Sequence, residues 1–329
     1  MDIVADSSYF LGVEMRGIHR VVCIADYRGH VVYRDEDKTI CQDYTENIEL
    51  TSRLMLRALN ESPIPRSKIV GIGFCVPGLV DNTSGFLKIH PGYNWKNKDL
   101  RNDIRRRLGY NGPITVANNA CARAQSAQLF SNAPLAGDSF AYLFISTGIA
   151  CPMMLNTSTS HGSVVGVGEI GHIVMDPNGP LCSCGNHGCL EAYSSNHAIL
   201  SKCDELMHTG RSKLLGKICG EAKLNMHHVL QAQKQNDPAV CEVVHEAIVR
   251  LGIGIANMCN FACPSTLFIE GDLFLQEENQ NLFLEIINKN LYGATYSNTN
   301  IIFLKPDRFS GAIGAVAVAV AENLENYQE

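Results

Sequence analysis

The stretch from Gly168 to Glu191 constrains this chain more than any other. It is polar, rich in glycine and cysteine, and has no clear helical or strand period, so it should be an ordered loop held by something other than a core. Within eighteen positions it supplies His172, Cys182, Cys184 and Cys189. One imidazole and three thiolates are donors that tetrahedral Zn²⁺ prefers, and four protein ligands leave no open position for water. The expected role of the metal is therefore structural. Gly185 and Gly188 flank the turn from Cys184 to Cys189 and permit the tight backbone that convergent ligands need. His187 lies nearer the cysteines than His172 does, yet it reads as a turn residue and not as a ligand.

A chain of 329 residues is too long for one core of ordinary size, so two lobes of roughly 150 residues are expected, with a cleft between them. The formal net charge of −6 leaves no electrostatic footprint for nucleic acid or an anionic membrane surface. No apolar run approaches the roughly 18 to 20 residues that span a bilayer, and the opening lacks the basic and apolar regions of a signal peptide. A cytoplasmic protein without membrane contact is expected. The thirteen cysteines are scattered through a long chain, and Cys23, Cys75 and Cys259 sit in apolar runs as reduced core residues, not as a disulfide framework.

Apolar strands run from Tyr9 to Arg34, broken by polar turns at Arg16 to His19 and Tyr27 to His30. A helix follows near Glu46 to Asn60, then a buried strand from Ile69 to Val76 that ends in Pro77-Gly78. Ile114 to Ala117 reads as a strand, and Asn118-Asn119 opens an alanine-rich helix to about Phe130. A second meander runs from Phe140 to Ser146, turns at Thr147-Gly148, and continues from Met153 to Leu155. Val244, Ile248, Leu251 and Ile255 form a helical core stripe, Leu267 to Ile269 and Ile301 to Leu304 read as strands, and Gly311 to Asn326 as a closing helix. The repeated order of elements predicts a duplicated α/β architecture.

Gly168-Glu169-Ile170-Gly171-His172 and the run from Cys182 to Glu191 closely resemble the signature of the ROK family of sugar kinases and sugar-responsive repressors. Weaker likeness extends through Gly71-Ile72-Gly73, Pro77-Gly78 and Gly311-Ala312-Ile313-Gly314-Ala315. The resemblance implies an actin-like, ribonuclease H-like and hexokinase-like fold of two α/β lobes. One lobe would comprise residues 1–118 with about 307–329, the other 119–306 with the zinc loop 168–191. It further implies that Glu169, His172 and Glu191 contact a hexose or amino sugar, joined by Gly78, Asn118 and Asn119, and that the protein is a homo-oligomer. Buried carboxylates on a rigid loop suit hydroxyl recognition, and a metal-bound His can donate through its other ring nitrogen. Pro-Gly also makes turns, Asn also caps helices, Glu191 could cap the following helix, and Glu169 could be a solvated loop charge.

The kinase pattern is damaged. Where family kinases carry Glu-Asn-Asp-Ala-Asn, with Asp as the base, this chain has Ala117-Asn118-Asn119-Ala120-Cys121. An amide at Asn119 cannot accept the hydroxyl proton, which typically costs about 10² to 10⁴ in rate. The opening Asp-x-Gly-Gly-Thr-Lys loop becomes Glu14-Met15-Arg16-Gly17-Ile18-His19, keeping only Gly17, with Arg16 and His19 expected in a solvated turn. The second phosphate loop keeps Thr147 and Gly148 but runs into Cys151-Pro152, and the adenosine-side glycine triplet keeps only Gly271, within Glu270-Gly271-Asp272. If Glu270 and Asp272 faced a polyphosphate they would repel it. A sugar-sensing regulator, the effector portion of a repressor, is the leading expectation. An ATP- and Mg-dependent sugar kinase is the alternative, and a structural or partner-binding protein a third. About ten residues precede the first strand, too few for a helix-turn-helix, so no direct DNA contact by this chain is expected.

Overall fold

The computed structural model describes residues 4–16, 19–90, 92–130, 139–155, 168–293 and 299–325. Two compact units divide the chain: residues 1–134, 158–167 and 307–329 form the first, and 135–157 with 168–306 the second.

The first unit is built on a five-stranded sheet. Strands β1 (Tyr9–Arg16), β2 (His19–Asp26) and β3 (Val31–Asp37) form the antiparallel meander, followed by helix α1 (Tyr44–Glu61), whose N-cap Asp43 accepts the Glu46 N–H at 2.8 Å. Strand β4 (Ile69–Val76) joins β1 in parallel. A small separate sheet, β5 (Leu79–Asp81), β6 (Phe86–Ile89) and β7 (Lys96–Asp99), then leads into α2 (Leu100–Leu108). Strand β8 (Ile114–Asn118) closes the order β3-β2-β1-β4-β8 and feeds directly into α3 (Asn119–Phe130). Leu11, Val13, Ile72 and Phe74 on one sheet face pack with Leu54, Met55 and Ile104 from the helices.

The second unit repeats the theme in interrupted form. Strand β9 (Ser139–Ile145) pairs antiparallel with two short pieces, β10 (Ile149–Ala150) and β11 (Met153–Leu155). Pro152 stands at the break, where a strand residue would need an N–H to donate. After the Cys/His-bearing loop come α4 (Glu191–Ser194), α5 (Asn196–His208), α6 (Lys213–Cys219), α7 (Met226–Lys234) and α8 (Pro238–Ala262). Strand β12 (Thr266–Gly271) joins β9 in parallel, α9 (Glu277–Asn290) follows, and β13 (Asn300–Leu304) joins β12 in parallel. The stripe Val244, Ile248, Leu251 and Ile255 on α8 is fully buried against Leu267 and Ile269 of β12.

Helix α10 (Ser310–Glu325) returns to the first unit, where it packs on α3, β1 and β4. The contact is backbone-close. A Cβ at Gly12 would strike the Ala312 carbonyl oxygen, and one at Gly73 would strike that of Ala315, so the sheet must present glycine where the helix crosses it. Because α10 also packs on α3, the division between units falls after α3 and not at residue 118. Among the described residues no helix is long and apolar enough to cross a membrane.

Candidate functional site

The metal loop is folded by short backbone links. Ile170–His172 form one 3₁₀ turn, Val174 bridges Cys189, Leu181 bridges His187, and Cys182 N–H donates to the Asn186 carbonyl at 2.8 Å. Gly188 has φ +67°, and a side chain there would strike the Asp176 carbonyl oxygen, so this position admits glycine alone. The folded loop brings the donor atoms of His172, Cys182, Cys184 and Cys189 within 4.8 Å of one another. His172 Nδ1 is 3.7 Å from Cys182 Sγ, and the sulfurs of Cys184 and Cys189 are 3.7 Å apart. Tetrahedral bonds of about 2.3 Å to sulfur and 2.0 Å to nitrogen put donors about 3.5 to 3.8 Å apart, so the cluster can hold a metal ion. His187 is outside this group and meets the Gly179 carbonyl through Nδ1 at 3.1 Å.

Two residues beyond Cys189, Glu191 opens α4. Its Oε2 accepts the Ile149 N–H at 3.0 Å and its Oε1 accepts the Ser183 hydroxyl at 3.1 Å. Gly148 and Gly171 make room for the carboxylate, since a Cβ would come within 2.7 Å and 3.3 Å of Oε2 respectively. Glu169 lies half-buried just before the 3₁₀ turn. Burial pushes its carboxyl above the ordinary range, His172 opposes that push, and the neighbouring Glu191 charge adds to it. Glu169 thus feels the charges of both His172 and Glu191 within the second unit.

The positions expected to be remnants of phosphate loops lie in the second unit around β9, β10 and β12. Thr147 is exposed at the tip of the β9–β10 turn, where Ser146 N–H meets the Gly148 carbonyl at 2.9 Å, while Gly148 itself faces Glu191. Gly271 is extended, and a Cβ there would press on Ile145 at 2.9 Å. Glu270 is buried under the Tyr142 hydroxyl, which donates to it at 2.7 Å, and Asp272 accepts the Asn196 amide at 3.0 Å. Glu270 is therefore an internal hydrogen-bond acceptor.

In the first unit Asn118 caps α3. Its Oδ1 accepts the N–H groups of Ala120 at 2.8 Å and Cys121 at 3.3 Å, and its Nδ2 donates to the Gly78 carbonyl at 2.8 Å. This ties the Pro77-Gly78 loop, with Gly78 at φ +110°, to the helix start and leaves Asn118 one N–H. Asn119 is buried and donates to Glu14 Oε1 at 3.2 Å. Glu14, 1% exposed, also accepts Arg123 Nη1 at 2.8 Å, Arg123 Nη2 at 3.1 Å and Arg16 Nη2 at 2.8 Å. Burial alone would raise the Glu14 pKa, but the Arg123 and Arg16 guanidiniums hold it well below the usual carboxylate range. Arg16 is thus an ion-pair partner and not a solvated turn residue, and His19 meets Glu36 at 2.9 Å. Gly17 lies outside the described residues. Arg123 belongs to no motif, and its signal in the sequence is that of a lone cation four residues after Asn119 in the small-residue run Asn119 to Ala124.

The ROK family model matches residues 10–322, and the chain belongs to the ROK family. A xylose repressor of Caldicellulosiruptor bescii is 24% identical over 98% of this chain and 81% of its own length. A glucokinase of Thermotoga maritima is 27% identical over 80% of this chain and 81% of its own. The crystal structure of a ROK family glucokinase from Streptomyces griseus in complex with glucose and AMPPNP matches with a TM-score of 0.79 at 21% identity, covering 95% of this chain and 99% of that one. That likeness is one of fold, and the duplicated mixed sheet is consistent with an actin-like ATPase arrangement.

Proposed function

We propose that this chain binds a sugar and acts as a sugar-responsive regulator that has lost kinase turnover. Zn²⁺ at His172, Cys182, Cys184 and Cys189 would brace the loop that carries Glu191 and orients His172. Glu169, His172 and Glu191 are the proposed sugar contacts of the second unit, and Gly78, Asn118 and Asn119 those of the first. The ligand class is a hexose or amino sugar, with a pentose added by the xylose repressors among the relatives. Homo-oligomerisation and a cytoplasmic location complete the reading.

One observation carries it: the residue at the position of the family's base is an amide whose N–H is spent on Glu14, inside a buried cluster with Arg123. Such a group cannot accept the proton of a sugar hydroxyl, although its second N–H and its carbonyl oxygen can still hydrogen-bond one. The kinase alternative draws on the glucokinase relatives, among them one 27% identical to this chain. Calorimetric titration with D-glucose, D-xylose and N-acetyl-D-glucosamine, beside a Mg·ATP phosphorylation assay with the same sugars, separates the two. Binding without turnover is expected. Turnover on the order of 1 to 10³ per second would establish a kinase instead.

A further inference from the structure

The first unit holds a pocket that uses none of the candidate site residues described above. Its volume is about 360 Å³, at the lower end of the roughly 300 to 1,000 Å³ of small-molecule sites. The segment that builds it leaves the small sheet where Ile89 pairs with Leu79, and returns at β7. Trp95 is 4% exposed and anchors the segment to the start of α1, its indole N–H donating to the Gln42 carbonyl at 2.9 Å. Tyr93 stacks on Trp95 with ring centroids 5.0 Å apart, and Tyr44 meets Trp95 edge-on at 5.5 Å. The result is a fixed aromatic wall whose outer ring, Tyr93, is half-buried.

The polar lining decides what fits against that wall. Lys98, whose ammonium lies 4.8 Å from the Tyr44 ring centre, disfavours a cation, and Asp43 disfavours an anion. A purely apolar molecule would strip water from the amides of Gln42 and Asn94 without replacing its hydrogen bonds. A neutral ring that bears hydroxyls suits this mixed lining: its hydroxyls can donate to the Asp43 oxygen that does not cap α1 and accept from Lys98, and its C–H face suits the aromatic side chains. We infer that this pocket is a saccharide-binding site for one or two neutral sugar rings, built wholly from the first unit and separate from Glu169, His172 and Glu191.

Trp95 is the single tryptophan of the chain, so its emission reports on the pocket directly. The full chain is titrated with D-glucose, D-xylose, cellobiose and sucrose, with sodium sulfate as the anionic control. A saturable emission change with at least one sugar is expected, and it should persist in the Glu169→Gln/Glu191→Gln double variant, which alters only the carboxylates of the other site. Tyr93→Ala should raise the half-saturation point about tenfold. Asn94→Ala, at an exposed loop position, should raise it by a few fold without risk to folding. The inference is overturned if no sugar gives a saturable change, if sulfate alone does, if the change vanishes in the double variant, or if both pocket variants titrate like wild type.

Discussion

Glu14 in the first unit lies beneath two guanidiniums and one amide with 1% of its surface exposed, while Glu191 in the second accepts one backbone N–H and one hydroxyl and stays half-buried. Both carboxylates stand in segments where the family pattern places ligand chemistry. The first has been closed with internal cations, so its charge is neutralised before any ligand arrives. The second is held by neutral donors, which orient it but leave its charge and remaining lone pairs to a partner. A carboxylate's environment, more than its presence, thus separates a structural charge from a binding group.

The largest expected effect comes from removing the brace of the open side. In Cys184→Ala the four-donor set loses a ligand, and structural Zn²⁺ sites contribute on the order of 10 kcal/mol of apparent folding free energy in small domains. Metal content by elemental analysis should fall from about one ion per chain in wild type, and the heat of sugar binding should disappear, while the first unit keeps its secondary structure. Unchanged sugar binding would show that Glu191 is oriented without the loop, and the contrast between the two carboxylates would lose its cause.

Next in size is the closed side. Arg123→Ala leaves Glu14 buried with Arg16 as its remaining guanidinium partner, and breaking a buried pair this way typically costs about 3 to 5 kcal/mol. Urea denaturation should show that loss, and Glu14→Gln/Arg123→Met should recover much of it by removing the uncompensated charge. A loss no larger than that of an ordinary surface substitution would mean that Glu14 is not closed by Arg123.

This contrast was only half legible in the sequence. The His/Cys cluster was readable because its donors lie within eighteen positions and need no tertiary knowledge to be grouped. The sheets were readable where strands are long and apolar, as in β1, β4 and β12. The small sheet β5 to β7 was not: its strands have three or four residues, and β7 reads Lys96-Asn97-Lys98-Asp99, with no apolar alternation at all. The Glu14–Arg123 pair was hidden because its partners are 109 positions apart, joined only once α3 is laid beside the end of β1. Likewise the N-cap role of Asn118 could be named from the sequence, but its link to the Gly78 carbonyl could not.

The smallest effect tests whether Asn119 belongs to the closed cluster by charge as well as by contact. Asn119→Asp replaces an amide donor 3.2 Å from Glu14 Oε1 with a second carboxylate. In wild type the Glu14 pKa is depressed, so its stabilisation is complete above the unfolded carboxylate value near 4.3 and is lost as pH falls below it. In the variant two like charges share Arg123 and Arg16, which favours uptake of one proton by the pair in the native state. A native state that binds protons more readily than the unfolded chain gains stability as pH falls. The variant should therefore be less stable than wild type by about 1 to 3 kcal/mol at pH 7, and the gap should narrow toward pH 5. Restoring an Asp at 119 should give no kinase turnover by itself, because that carboxyl would share Arg123 and Arg16 with Glu14 and would not be free to accept a hydroxyl proton. A gap that stays constant with pH in urea titrations would place the residue 119 side chain outside the cluster's electrostatics, leaving Arg16 and Arg123 as what closes Glu14.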